Sequence, residues 1–326
     1  MTAPDRFDVA VIGGGAAGVA AALEAASLGA AVALVESARP GGSCVHHTCI
    51  PTTILLESAA AFVAAREAAV AGIFTAGEAL QLGRANDRAA ALVRQLAAGV
   101  ETALRRARVT VLQGRAAFRQ PGLLEVSGSG PLAADAVVVA AGCAWEPPAI
   151  PGLPPDRLVT PDVVQSWREP PASCLILGGG PSGGLFAIEY AVLLALAGSA
   201  VTLAAPGPLL CPGFDDDLQP VIADLLAAVG VTARAGHAPV AAEDRCVRLA
   251  GPGGECSVEA DVVLAADPRV PSLEGLCLER AGLQPRDGAI PVDPACATGI
   301  PGIYAAGDVT GTGMLSSTAA LQGRVA

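Results

Sequence analysis

Residues 7–18 read FDVAVIGGGAAG. Six mostly apolar residues run into three glycines, and an Ala-rich helical pattern then continues to about Leu28. AVALVE (31–36) follows as a second short buried strand. In Gly13-x-Gly15-x-x-Gly18 the first glycine permits a tight turn. The second lets backbone approach a pyrophosphate, and the third lets helix and strand pack closely. The helix start then faces phosphate with N–H groups and a positive dipole end. Glu36 ends the second strand, where a carboxylate can hold ribose hydroxyls. This order of residues predicts a dinucleotide-binding unit.

The order recurs about 165 residues later. CLILGGGPSGG (174–184) carries Gly178, Gly180 and Gly183, a helix runs to about Ala197, and AVTLAA (200–205) reads as a strand. Between the two copies, 52–71 and 85–108 read as long helices, and short strands fall near 109–113, 123–127 and 136–140. AGCAWEPPAIPGLPP (141–155), dense in Pro and Gly, reads as a linker. GIYAAGDVTG (302–311) gives a strand that runs into Gly307 and Asp308. The predicted class is α/β with two Rossmann-like dinucleotide-binding units.

Composition bounds the alternatives. A chain of 326 residues predicts two domains and a core that needs no disulfides. With 52% hydrophobic and 16% charged residues, disorder is excluded. Gly 39 and Pro 26 lack a three-residue period, which excludes collagen-like structure. A net charge of −11 repels phosphate backbones, so no nucleic-acid partner is expected. Every basic residue is Arg; the chain has no Lys. The uncharged stretch Tyr190 to Phe214 could span a bilayer by length, but Gly198, Pro206, Gly207 and Pro208 interrupt it. It reads as a buried helix, a turn and a buried strand. Acidic residues stand where a leader would be basic, so a soluble cytoplasmic protein without membrane partners is expected. The nine Cys show no metal spacing, and most, Cys143 among them, read as structural or surface thiols. No metal site is expected.

GGSCVHHTCIPTT (41–53) places Cys44 and Cys49 five positions apart, before a helix predicted to begin near Pro51. A helix start favours a thiolate, and cysteines on adjoining turns of one helix start can approach disulfide geometry. On spacing alone a pair of buried thiols is an equally good reading. His46 and His47 lie between the two, and an imidazole there could take a thiol proton.

The ordered set Gly13 to Gly18, Glu36, GGSCxxxxCIPT, the linker with its PPAIPG, and TGIPGIYAAGDVTG resembles the pyridine nucleotide–disulfide oxidoreductases across nearly the whole chain. The resemblance implies FAD in a discontinuous domain (1–147 and 286–326), with a nicotinamide-binding-like domain (148–285) inserted. It implies cofactor contacts at Gly13, Gly15, Gly18, Glu36, Gly42, Ala141, Gly142, Gly307 and Asp308, the last on the ribityl chain. It also implies a redox-active Cys44–Cys49 disulfide, with Cys49 against the flavin and Cys44 exchanging with substrate. Gly178, Gly180 and Gly183 would serve a nicotinamide cofactor.

Five departures from that pattern carry functional information. Thr53 stands where the family has a Lys near the flavin. AVTLAA runs into Ala204, Ala205 and Pro206 without an acid for the nicotinamide ribose, so NAD(P)H is a doubtful second cofactor. Glu189 falls a helical turn later than the family's Glu and reads either as the displaced partner of the missing Lys or as an ordinary helix residue, the second slightly favoured. The sequence stops at Ala326, so the family's C-terminal dimerisation domain, with its His–Glu pair, is expected to be missing. The inter-cysteine loop carries two His. The expectation is a dithiol oxidase, passing electrons from small or carrier-bound thiols through Cys44–Cys49 to FAD and on to oxygen. It resembles short dithiol oxidases of bacterial secondary metabolism, although those place a CxxC in the other domain. The alternatives are an NAD(P)H-dependent disulfide reductase and a flavin-dependent dehydrogenase of a carrier-tethered intermediate. A homodimer through the helices at 52–108 is a further expectation.

Overall fold

The computed structural model describes residues 5–73, 79–179, 184–209 and 214–326. The chain packs as two compact units. One takes Met1–His46, Val93–Ala144 and Val270–Ala326; the other takes His47–Leu92 and Trp145–Arg269.

In the first unit the strands Thr110–Gln113, Val32–Glu36, Asp5–Ile12, Gly130–Val139, Leu123–Val126 and Ala116–Gln120 lie side by side in that order, and Ile303–Ala305 also pairs with Gly130–Val139. The glycine-loop strands pair in parallel, and Ala116–Gln120 and Leu123–Val126 are antiparallel additions. All five residues of Val32–Glu36 are buried, as a parallel strand covered on both faces requires. Alternate residues divide between two cores. Val11, Leu34 and Val138 pack with Ala17, Ala21 and Ala22 of helix Ala16–Ser27, and with Leu104. Ala10, Ile12, Val35, Val137 and Val139 pack with Phe118, Leu124, Leu276 and Leu283. Each fully buried Val, Leu or Phe contributes about 1.5–3 kcal/mol.

In the second unit Thr232–Ala235, Ala200–Ala205, Ser173–Leu177, Val262–Ala265 and Leu158–Val159 form a parallel sheet in that order. Ala238–Glu243, Cys246–Gly251 and Gly254–Glu259 form a separate antiparallel sheet. Tyr190, Leu193 and Leu194 of helix Gly184–Leu196 share a core with Ile54, Leu55 and Ala59 of helix Cys49–Val70 and with Ile176 and Leu203 of the sheet.

The structure differs from the sequence reading at the cysteine motif. The long helix begins at Cys49 rather than near Pro51, and Cys44 belongs to a separate short helix, Gly42–His46. Thr48, buried and held at φ −124°, ψ −96°, breaks the two apart. The stretch Tyr190 to Phe214 divides as expected into a helix ending at Leu196 and the strand Ala200–Ala205. Among the described residues, the stretch Gly42–Val70 is instead the one long and apolar enough to cross a membrane by length and composition. Pro51, Thr52, Ile54, Leu55 and Ala59 are buried in it, and 33% of its apolar window is buried.

Candidate active site

The first glycine loop is shaped by close approach. Gly13 has φ +100°, and a Cβ there would lie 2.3 Å from the carbonyl oxygen of Ala140. A Cβ on Gly18 would lie 1.8 Å from the carbonyl oxygen of Gly13, so strand and helix touch at a distance open only to glycine. A Cβ on Gly42 would lie 2.4 Å from the Cα of Gly15, which brings the 41–42 turn against the loop. Gly15 caps helix Ala16–Ser27 without a side-chain hydrogen bond, and no acidic residue stands in the first turn. That helix start therefore offers its N–H groups to an anion.

Glu36 is fixed at the end of its strand. Its carboxylate accepts hydrogen bonds from the N–H of Gly14 at 2.6 Å and of Ala38 at 2.7 Å. It lines a cavity of about 240 Å³ together with Gly13, Gly114, Arg115, Ala141 and Leu276. Gly13, Ala141–Gly142 and Gly307–Asp308 all follow the C-terminal ends of neighbouring parallel strands, where open α/β sheets bind ligands. Two partners there are illegible in the sequence. The thiol of Cys143, read as a structural or surface residue, donates to Oδ2 of Asp308 at 3.0 Å. The N–H of Gly307 donates to Oε1 of Gln322 at 2.8 Å.

Still in the first unit, Cys44 lines a mostly apolar cavity of about 480 Å³ with Gly15, Val19, Leu23, Gly41 and Arg324. Nε2 of His46 lies 3.0 Å from the carbonyl oxygen of Pro40, which can only accept, so Nε2 is the donor of that hydrogen bond.

In the second unit Cys49 is the first residue of its helix, with Oγ1 of Thr48 3.7 Å from its sulfur. The carbonyl oxygen of His47 accepts from Nε2 of Gln165 at 2.6 Å. Thr52 Oγ1 and Tyr190 OH, both buried, are 3.2 Å apart. Burial pushes the carboxyl of Glu189 up to about 7, and charge on Cys49 adds to the rise. A Cβ on Gly178 would lie 2.1 Å from the Cβ of Ala187, and one on Gly179 2.4 Å from the Cβ of Ala205. Gly180, Gly183 and Cys211 lie outside the described residues. No group of three or more His, Cys, Asp or Glu suited to a metal occurs among the described residues.

Residues 7–323 match the family described as "Pyridine nucleotide-disulphide oxidoreductase". A dihydrolipoyl dehydrogenase of Chlorobaculum parvum is 32% identical over 332 residues, covering 98% of this chain and 70% of its own. One of Bacillus subtilis is 34% identical over 330 residues, with the same coverage. Among solved structures, the HOCl-induced flavoprotein disulfide reductase RclA of Escherichia coli superposes with TM-score 0.83 at 27% identity, over 98% of this chain and 69% of that one. LpdA of Mycobacterium tuberculosis does so with TM-score 0.83 at 27% identity, over 98% and 71%.

Members of that family carry FAD, and the first unit fits it. The Gly13–Gly18 loop leaves an uncapped helix start for a pyrophosphate, and Glu36 faces a cavity with its carboxylate already oriented. The family match, the relatives and this fit together make the chain a flavoprotein oxidoreductase that belongs to the pyridine nucleotide-disulphide oxidoreductases.

Proposed function

We propose that this flavoprotein oxidises dithiols, with Cys44 and Cys49 as its exchanging sulfurs and dioxygen as the final acceptor. One contrast carries the reading. Strand Val32–Glu36 ends in a carboxylate held by two N–H groups, whereas its counterpart Ala200–Ala205 ends in buried Ala204 and Ala205. Ala205 packs beside Gly179, at the position where an acid would hold a nicotinamide ribose. The first strand is equipped for a dinucleotide, and the second lacks that handle.

In the proposed reaction a dithiol and dioxygen give a disulfide and hydrogen peroxide. One substrate thiolate attacks Sγ of Cys44, and Cys49 leaves as a thiolate. The second substrate thiolate attacks the substrate sulfur of the mixed disulfide, and Cys44 leaves. His46 and His47 are proposed to carry the proton that ends on Cys44. The apolar cavity beside Cys44 has room for an alkyl dithiol. Bound FAD supplies the two-electron chemistry that reoxidises the thiol pair and passes the electrons to the acceptor.

The test is peroxide release. Purified protein given dithiothreitol in air is expected to release one peroxide per dithiol consumed. The Cys44→Ser/Cys49→Ser variant is expected to release none; full activity in that variant would refute the relay.

A second reading has one observation behind it. Arg234, exposed, stands in register with Ala204 on the adjacent strand, and a guanidinium there suits a ribose 2′-phosphate. On that reading the protein is an NADPH-dependent disulfide reductase, and NADPH, but not NADH, would reduce the flavin.

A further inference from the structure

Helix Cys49–Val70, in the second unit, leaves much of its apolar side in solvent. Val70 is 91% exposed and Ile73, just past the helix end, 74%. Neither sits on a frayed end. Gly72, at φ +75°, turns the chain, and its N–H bonds the carbonyl oxygen of Ala69 at 2.9 Å while that of Ile73 bonds Ala68 at 3.0 Å. Two large apolar side chains are thus held in water on a fixed frame, where burial would be favourable.

The same helix lines a cavity of about 360 Å³. Ala60, Val63, Ala64 and Glu67 border it at positions i, i+3, i+4 and i+7, the four places that frame the hole for a knob from a second helix. Val192 and Leu196 of helix Gly184–Leu196 add to its wall. With two Ala at the border, another helix can come in at the short end of the packing range, about 8 Å between axes. Leu56, Val63 and Val70 recur every seven residues, so the exposed Val70 continues a stripe that the cavity itself uses.

We propose that this face is the contact between two copies of the chain, their helices packed antiparallel about a twofold axis between Arg66 and Glu67. Counting outward from that axis sets Arg66 of one copy level with Glu67 of the other, Val63 with Val70, and Ala60 with Ile73. Each copy then places its Val70 as the knob in the other's hole. Knob and hole lie on one helix, and so do the two opposite charges at the axis, which is the self-complementarity that a twofold contact requires. Arg66 and Glu67 are both exposed, and the Arg66 guanidinium lies 5.7 Å from the centre of the Phe62 ring. A charge pair there sets register more than strength. A bilayer is the competing cover, because Gly42–Val70 has the length and composition of a membrane helix. Glu67 favours the second copy: a bilayer would take in its carboxylate unpaired, whereas the copy supplies Arg66. This contact gives the homodimer expected through the helices at 52–108 a register, and it is independent of the thiol chemistry.

Sedimentation velocity of the full-length, flavin-loaded protein over a concentration series reads the contact. The wild type is expected to dimerise in the micromolar range or below. Val70→Asp, at a position already wet, should keep the wild-type Tm and dimerise at least about thirtyfold more weakly, the loss expected for a central anchor. Glu67→Arg sets like charges together at the axis and should weaken the dimer; Arg66→Glu/Glu67→Arg reverses both charges and should restore it. If Val70→Asp fails to fold, the reversals at exposed positions still decide. A wild type that stays monomeric, a Val70→Asp dimer of wild-type strength, or a double reversal no tighter than Glu67→Arg would each overturn the proposal. Flotation with vesicles of phosphatidylcholine and phosphatidylglycerol checks the other cover: vesicle binding by a monomeric wild type, lost in Val70→Asp, would overturn it in favour of a bilayer.

Discussion

The thiol of Cys143 donates a hydrogen bond to Oδ2 of Asp308 across 3.0 Å, although 165 positions separate them. The contact joins the turn after strand Gly130–Val139 to the turn after Ile303–Ala305, and those two strands are paired in parallel. Asp308 is the carboxylate that the resemblance assigns to the ribityl chain, so its orientation bears on flavin retention.

Cys143→Ala is therefore expected to loosen FAD while Cys143→Ser retains it. A thiol is a weak donor even toward a carboxylate, so the loss is set at about 1 kcal/mol, or roughly fivefold in affinity. Flavin fluorescence on dilution measures it. Equal retention in wild type and Cys143→Ala would show that Cys143 does not orient the carboxylate.

Gly18→Ala places a methyl group 1.8 Å from the backbone oxygen of Gly13, and neither partner is a flexible side-chain tip. Helix Ala16–Ser27 must move off its sheet. The expected cost exceeds about 2 kcal/mol, in the range of core overpacking. Thermal unfolding should show a Tm several degrees lower, together with loss of bound flavin. Gly29→Ala is the control for size: no atom lies within 4 Å of a Cβ there, although φ is +92°. It should retain flavin and be destabilised only by the backbone strain that a side chain meets at that φ.

The Thr52–Tyr190 pair predicts a non-additive cycle. Thr52→Val removes one of two side-chain partners of the buried Tyr190 hydroxyl, Gln165 being the other, at a cost of about 1 kcal/mol, and Tyr190→Phe takes from Thr52 its bond to that hydroxyl. The double variant removes both polar groups and should be more stable than the two single costs add up to. Urea unfolding of the four proteins checks this; strict additivity would show that the hydroxyls do not interact.

Glu189 makes stability fall as pH rises. Its carboxyl sits at about 7 in the folded chain, against an ordinary 4.5. The folded state therefore binds more protons than the unfolded state between those values. The contribution is complete below about pH 4.5, is lost as pH rises through about 7, and then stays lost. Its size is on the order of 2 kcal/mol for a mostly buried group. Relative to Glu189→Gln, the wild type should lose that much stability between pH 5 and pH 7.5 by urea titration. Parallel stability curves would show that the carboxyl is not raised.

What the sequence makes legible follows from the range of the forces involved. The two strand–glycine–helix units can be read because local steric demands fix residue types at Gly13, Gly18 and Gly178, and because buried parallel strands are written as apolar runs. The break at Thr48 is hidden: Thr does not signal a helix interruption, and the burial of that residue depends on tertiary packing. Strand Ala116–Gln120 is missed because only Ala116 and Phe118 face the core while Arg119 and Gln120 are exposed. Cys143 and Gln322 escape for a different reason. Each acts on a residue distant in sequence, so its role depends on which strands pair and which helix faces meet. Composition records neither.

The most direct measurement is the visible flavin band of the purified protein, followed without oxygen as reductants are added. Excess dithiothreitol is expected to bleach the band rapidly in the wild type and not in Cys44→Ser/Cys49→Ser, with NADH and NADPH leaving it intact over the same interval. Rapid bleaching by a nicotinamide cofactor, with no response to the dithiol, would contradict the account.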